Sequence, residues 1–288
     1  MTFRSLLQRV LAEEHLNFLL TNALPRRRLT RAFYRFSRIE HPWICRASLA
    51  AWKLFADVDL SDAREQHFRS LHHGFTRELK PGARPIEPDP NLLSSPCDGI
   101  VGGSGMITDG TAVQAKGQTY PLALLLQDAA HAERYRGGCY VTLRLTAGMY
   151  HHFHAPYACR VRRVTHVPGD TWNVNPATLK RIERLYCRNE RAVIECELDP
   201  HGERIALVPV AAILVAGIQL PFLDLGLPLG CQGARVIECD APLEKGAPMG
   251  WFEHGSTVIL LAPSGFAPCA TVRSGTRVRM GEALLQRR

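Results

Sequence analysis

Three short stretches of this sequence carry side chains that could do chemistry together. The first is Ser95-Pro96-Cys97-Asp98-Gly99, with its aspartate in an Asp-Gly pair. Taken alone, such a pair at a strand edge is most often a turn. The second is Tyr150-His151-His152-Phe153-His154-Ala155-Pro156, with three histidines in four positions. On a regular strand His152 and His154 share a face and His151 points away. A metal would need a third ligand, usually a carboxylate, and no familiar spacing supplies one. General acid–base work and plain structural roles remain. The third is Phe252-Glu253-His254-Gly255-Ser256-Thr257-Val258. A Gly-Ser-Thr run before a strand is usually a turn capped by hydroxyls. Its chemical potential is nevertheless specific. Glycine has no Cβ, so it can hold a strained backbone and leave its carbonyl open to attack. A serine Oγ just downstream can attack that carbonyl once a base takes its proton. The peptide becomes an ester, β-elimination breaks the chain, and hydrolysis of the dehydroalanine leaves a pyruvoyl group on the new N-terminus.

These stretches need elements to position them. Residues 3–20 have helical spacing, with Leu6, Leu7, Val10, Leu11 and Phe18 near one face. Pro25-Arg26-Arg27-Arg28 follows, then Leu29, Phe33, Tyr34, Phe36, Ile39, Trp43 and Ile44 among further arginines. That pattern fits a helical hairpin packed on the body, or a helix pair lying on anionic lipid. Helical spacing continues over 46–80. Lys80-Pro81-Gly82-Ala83-Arg84-Pro85 and Glu87-Pro88-Asp89-Pro90 punctuate the chain as a linker. Short β-branched or apolar runs come next, at Gly99–Val101, Tyr140–Leu145, Arg160–His166, Ala192–Glu197, Ile205–Ile218, Arg235–Glu238 and Val258–Leu261. They predict a mainly antiparallel, sandwich-like body. Helices are expected at Pro121–Leu126 and after Asn175-Pro176, through Leu185. The fold class is therefore α+β: a helical, basic and aromatic region over 1–80, then a β-rich catalytic domain over 81–288.

The 288 residues are 46% hydrophobic and 22% charged, which excludes collagen, coiled coil and bulk disorder. The net charge is +8, and +5 of it falls in residues 1–40. A basic excess beside aromatics suits an anionic surface. Neither a recognition helix nor a stacking-sheet motif accompanies it, so nucleic acid is not the expected partner. The nine cysteines include no CxxC pair and suggest reduced thiols in the cytosol. No signal peptide is recognisable, and the apolar stretch Leu207–Leu223 is broken by Pro209, Gly217 and Pro221, unlike a spanning helix.

The sequence resembles the phosphatidylserine decarboxylases of the bacterial and mitochondrial type. The resemblance spans essentially the whole chain. It includes residues 16–22, 36–42 and 75–86, then Ser95–Gly99 and Tyr150–Pro156. It continues through Gly169-Asp170-Thr171-Trp172-Asn173-Val174-Asn175-Pro176, Asn189-Glu190-Arg191 and Gly255-Ser256-Thr257. The resemblance implies a proenzyme that cuts itself between Gly255 and Ser256, giving a β chain of residues 1–255 and an α chain of residues 256–288. It implies Asp98, His154 and Ser256 as the triad for that cut, with His154 the base and Asp98 orienting it. Ser256 would become the covalent pyruvoyl group, and His151 would belong to the substrate site. Phosphatidylserine would then be decarboxylated to phosphatidylethanolamine through a Schiff base to that group, without PLP or metal. A homodimer of the cleaved unit, peripheral on the cytoplasmic face of the cell membrane, completes the expectation. Many family members carry leucine where this chain has His254, so the role of His254 stays open. Two alternatives remain: a non-enzymatic peripheral membrane module, and a serine hydrolase, although the chain lacks a Gly-x-Ser-x-Gly elbow.

Overall fold

A computed structural model describes residues 25–115, 117–213, 217–223, 225–228, 233–253 and 256–288. The helix expected over 3–20 lies outside the described residues, as do Gly255 and His254. The basic, aromatic segment forms α1 (Arg26–Ser37) and α2 (Pro42–Phe55). Proline at the first position of α2 has a φ already suited to a helix and loses no needed donor. Thr30 and Ser37 face inward on α1, while Arg28, Arg31 and Arg35 stay exposed.

The helix expected to run on to residue 80 instead stops at Phe55. Asp59 Oδ1 accepts the Ser61 N–H at 2.8 Å, a local turn that competes with helical hydrogen bonding. One short helix follows, α3 (Leu71–Phe75), where Ser70 caps the His73 N–H. The Pro- and Gly-rich segment after it packs against the body: the Glu87 N–H donates to Gly281 O at 2.8 Å.

The strands then begin: β1 (Leu92–Ser94), β2 (Gly99–Met106), β3 (Thr111–Ala115) and β4 (Gln118–Pro121). Next come α4 (Leu122–Leu126), α5 (Ala129–Glu133), β5 (Cys139–Arg144), β6 (His152–His154) and β7 (Cys159–Val167). The region after Asn175 makes two short helices, α6 (Pro176–Arg181) and α7 (Leu185–Arg188), not one. Between them Arg184 has φ 52°, a left-handed backbone that interrupts the helix. The chain continues as β8 (Arg191–Leu198), β9 (Arg204–Ala211), β10 (Gly217–Leu220), β11 (Leu225–Pro228), β12 (Arg235–Leu243), β13 (Pro248–Phe252) and β14 (Ser256–Ala262). It closes with β15 (Phe266–Pro268), β16 (Arg277–Val278) and β17 (Ala283–Arg287). The single strand expected over Ile205–Ile218 is two strands, β9 and β10, in different sheets.

The main sheet has the order β12-β7-β8-β9-β14-β5-β2-β16, and each neighbouring pair is antiparallel. β14 lies near its centre and is buried along its whole length, which explains its unbroken apolar run after Thr257. β12 is an edge strand and alternates between exposed and half-buried residues. A second sheet has the order β11-β10-β13-β6. The sheets meet around the second and third stretches. β6 pairs with β13, and the chain leaves β13 at Phe252 to enter the main sheet at Ser256.

One buried polar residue ties the layers together. Arg191 is fully buried, and its guanidinium donates to the carbonyls of Leu124, Leu125, Cys187 and Asn189. It thereby joins α4, α7 and β8 by donating to helix-end and loop carbonyls. The eight described cysteines are free. Among the described residues no helix is long and apolar enough to cross a membrane.

Candidate active site

Asp98 ends a tightly held turn before β2. Ser95 Oγ donates to Cys97 O at 2.8 Å, and the Pro96 carbonyl accepts the His154 N–H at 2.7 Å. The Asp98 carboxylate is buried and receives Arg84 twice, from Nε at 2.9 Å and Nη2 at 2.7 Å. The Met280 N–H adds a third donor at 2.9 Å. A bidentate pair of this kind fixes both position and charge. Arg84 also holds Asp62 at 2.8 Å, and its hydrogen bonds to Asp98 push its pKa still higher.

His154 is buried on β6. Its Nδ1 lies 2.9 Å from Gly246 O and its Nε2 lies 3.0 Å from the Tyr150 hydroxyl. Burial lowers its pKa, opposed by the Gly246 bond and the charge of Asp98. The ring is therefore neutral at pH 7. A carbonyl can only accept, so the proton sits on Nδ1 and Nε2 is the basic nitrogen, receiving the Tyr150 O–H. His152 stacks between Tyr150, at 4.8 Å, and Trp251, at 5.4 Å, and burial takes its pKa down to about 4. It is a packing residue. His151 is fully buried, with Nδ1 2.8 Å from Met149 O and its ring 4.0 Å from the Phe75 ring. Its carbonyl accepts the Phe252 N–H at 3.0 Å, at the end of the strand that leads to Ser256.

Ser256 opens β14, opposite Ala211, and its carbonyl accepts the Leu145 N–H at 2.9 Å. Its Oγ is buried and has no hydrogen-bond partner among the described residues. It lines a cavity of about 820 Å³. Phe33, Phe36, Trp52, Phe55 and Phe75 from the three N-terminal helices line the cavity, and Arg144 contributes a charge. Volume and lining suit an organic ligand with a large apolar part.

The structure brings Asp98, Tyr150 and His154 into one neighbourhood, and Ser256 into another beside it. Ile100 on β2 and Thr257 on β14 both pair with Arg144 on β5. Asp98 and Ser256 thus flank the end of β5, about two strand spacings or roughly 10 Å apart. Asp98 bonds to Arg84 rather than to the imidazole, so it acts on His154 through its charge. No hydrogen-bond relay joins the three residues among those described.

Four partners escaped sequence reasoning. Arg84 lies in a segment whose prolines and glycine mark a linker. Tyr150 was inside the second stretch, but nothing there signalled that its hydroxyl meets His154. Arg144 ends a run read only as strand. Glu253 is buried, and Oε1 receives Arg38 Nη2 at 2.8 Å and Gln219 Nε2 at 3.3 Å. Burial raises its pKa and Arg38 lowers it. Among the described residues no group of three or more His, Cys, Asp or Glu side chains could hold a metal.

Comparison with known proteins is consistent across the chain. The sequence model of a family described as phosphatidylserine decarboxylase matches residues 71–286. A phosphatidylserine decarboxylase proenzyme of Anaeromyxobacter sp. (strain K) is 39% identical over 272 residues, covering 91% of this chain and 94% of that protein. Proenzymes of the same name from Xanthomonas axonopodis pv. citri (strain 306) and Brevibacillus brevis are each 37% identical. The first match covers 80% of this chain and 84% of the relative, the second 79% and 82%.

Proposed function

This chain belongs to the phosphatidylserine decarboxylase family of enzymes, and on that premise we propose that it decarboxylates phosphatidylserine after cutting itself between Gly255 and Ser256. The observation that carries the proposal is the Ser256 hydroxyl, buried and without a partner among the described residues, at the wall of the cavity. A buried hydroxyl that no described group engages is costly, and it is available as a nucleophile.

In the cut, neutral His154 takes the Ser256 proton and Oγ attacks the Gly255 carbonyl. The amide nitrogen leaves as the amine of an ester-linked serine. Removal of the Ser256 α-proton expels the Gly255 carboxylate. Water then replaces the nitrogen, which departs as ammonia. Asp98, fixed by Arg84, supplies the negative charge that favours the imidazolium. Tyr150 occupies the basic nitrogen, so its hydroxyl must yield to the Ser256 proton or pass it on.

Ser256 fits as the source of a pyruvoyl group, because it lines a cavity that can take a substrate and its buried hydroxyl has no partner among the described residues. When formed, that group supplies an electrophilic ketone for the substrate amine and a sink for the electrons that CO2 leaves behind. His154 returns a proton to the substrate Cα. His151, packed against the cavity residue Phe75, orients the headgroup. The exposed Trp43 and Phe55 of α2 and the exposed Arg28, Arg31 and Arg35 of α1 support peripheral docking on an anionic membrane surface; we propose its cytoplasmic face as the site. We further propose a membrane-associating region over 1–80, a catalytic domain over 81–288 and a homodimer of the cleaved unit.

The test is Ser256→Ala. It should leave the chain uncut and release no CO2 from phosphatidylserine vesicles, while wild type does both. CO2 release by an uncut Ser256→Ala chain would overturn the proposal.

A further inference from the structure

We infer that Arg144 holds the phosphodiester of the substrate headgroup, which deepens and rests on the decarboxylase reading above. Arg144 is the last residue of β5 and the cross-strand partner of Thr257, the residue after Ser256. Its side chain lines the same cavity as Ser256. Among the described residues its guanidinium makes no ion pair and no hydrogen bond, and the neighbour whose charge acts on it is the Tyr186 phenol. Burial keeps that phenol's pKa raised, so it is neutral at pH 7. Burial also lowers the Arg144 pKa, yet an arginine stays cationic. A half-buried cation with no counter-charge among the described residues is expensive, and the other described residues lining the cavity are apolar or neutral. An anionic ligand removes the cost.

Two anions are available on such a substrate, and the chemistry separates them. The carboxylate must lose its charge as CO2. An arginine on it would stabilise the ground state more than the transition state and slow the step. The phosphodiester keeps its charge throughout and lies three bonds from the reacting Cα. Holding it lowers KM without penalising the chemistry. A guanidinium one cross-strand pair from Ser256 has the reach, since facing residues of neighbouring strands lie about 5 Å apart. The aromatic side chains of the three helices line the rest of the cavity, where the glycerol and acyl part would lie.

The experiment titrates soluble headgroups into the Ser256→Ala chain, in which no reaction intervenes. Glycerophosphoserine, glycerophosphoethanolamine and free serine are the probes. Arg144→Gln should weaken both phosphodiesters about tenfold to a hundredfold and leave serine unchanged. Arg144→Lys keeps the charge without the fork, should lose less, and serves if the Gln variant fails to fold. KM for phosphatidylserine, compared on chains cut to the same extent, should rise with kcat nearly constant. Equal weakening of serine, or no weakening of glycerophosphoethanolamine, would overturn the assignment. Wild type that never decarboxylates phosphatidylserine would sink the decarboxylase reading instead, and the titration would still score Arg144 as a phosphodiester site.

Discussion

Arg38 Nη2 lies 2.8 Å from Glu253 Oε1, joining the end of the basic helix α1 to the residue three before Ser256. The Glu253 side chain is 4% exposed and that of Arg38 46%. The pair therefore has one buried member, and that member depends on the other. Arg38 also lies 4.3 Å from the Tyr34 ring, which holds it in place.

Removing Arg38 should strand the Glu253 carboxylate. Arg38→Ala is expected to cost about 1–2 kcal/mol at pH 7, and Arg38→Ala with Glu253→Gln less than the single change. The sign with pH follows from the raised pKa of Glu253. A carboxyl whose folded pKa lies above its unfolded value costs stability as pH rises through that range. Without Arg38 the pKa rises further, so the penalty should grow above it and fade in acid. Urea midpoints of the three chains at pH 5 and pH 8 check this.

The histidines should separate by function. His154→Ala should block self-cleavage, because no base remains for the Ser256 proton. His151→Ala should still cut, at least in part, and lose decarboxylation. Asp98→Asn should slow the cut by removing the charge that favours protonated His154. Burial lowers the His154 pKa, so the ring loses its proton below the usual imidazole value. The cleavage rate in wild type should thus be flat near pH 7 and fall only below about pH 6.5. A gel time course across pH, with CO2 release on the same samples, separates these outcomes. Normal cutting by His154→Ala with failure of His151→Ala would reverse the two roles.

Membrane docking should depend on charge and on exposed aromatics together. Trp43 is 74% exposed and Phe55 60%, and Arg28, Arg31 and Arg35 on α1 are exposed as well. Changing Arg26, Arg27 and Arg28 to Glu should weaken binding to anionic vesicles strongly at low salt, at about 1 kcal/mol per arginine lost. Trp43→Ala should weaken it at every salt concentration, since apolar insertion is not screened. Co-sedimentation at two ionic strengths distinguishes the two contributions.

Much of the fold was legible because its signals are local. β5, β7, β8 and β14 read out as short apolar runs, and α4 as a run of leucines after Pro121. Asp98, His154 and Ser256 were legible as residue types in recognisable company. The errors have physical causes. Apolar spacing persists past Phe55, but the Asp59 turn ends the helix. Ile205–Ile218 is continuously apolar, and nothing in that run marks the change of sheet. The partners of the site residues were hidden because they are remote. Arg84 reaches Asp98 from a segment rich in proline and glycine, and Arg38 reaches Glu253 across 215 residues. Only the folded backbone sets such pairs side by side.

The central claim is covalent, and an intact-mass measurement on the purified wild-type protein tests it most directly. The expected result is two chains, residues 1–255 and residues 256–288. The small chain should weigh one ammonia less than a peptide beginning with free Ser256, resist Edman degradation and react with hydroxylamine. A single unbroken chain of 288 residues with Ser256 unmodified would contradict it.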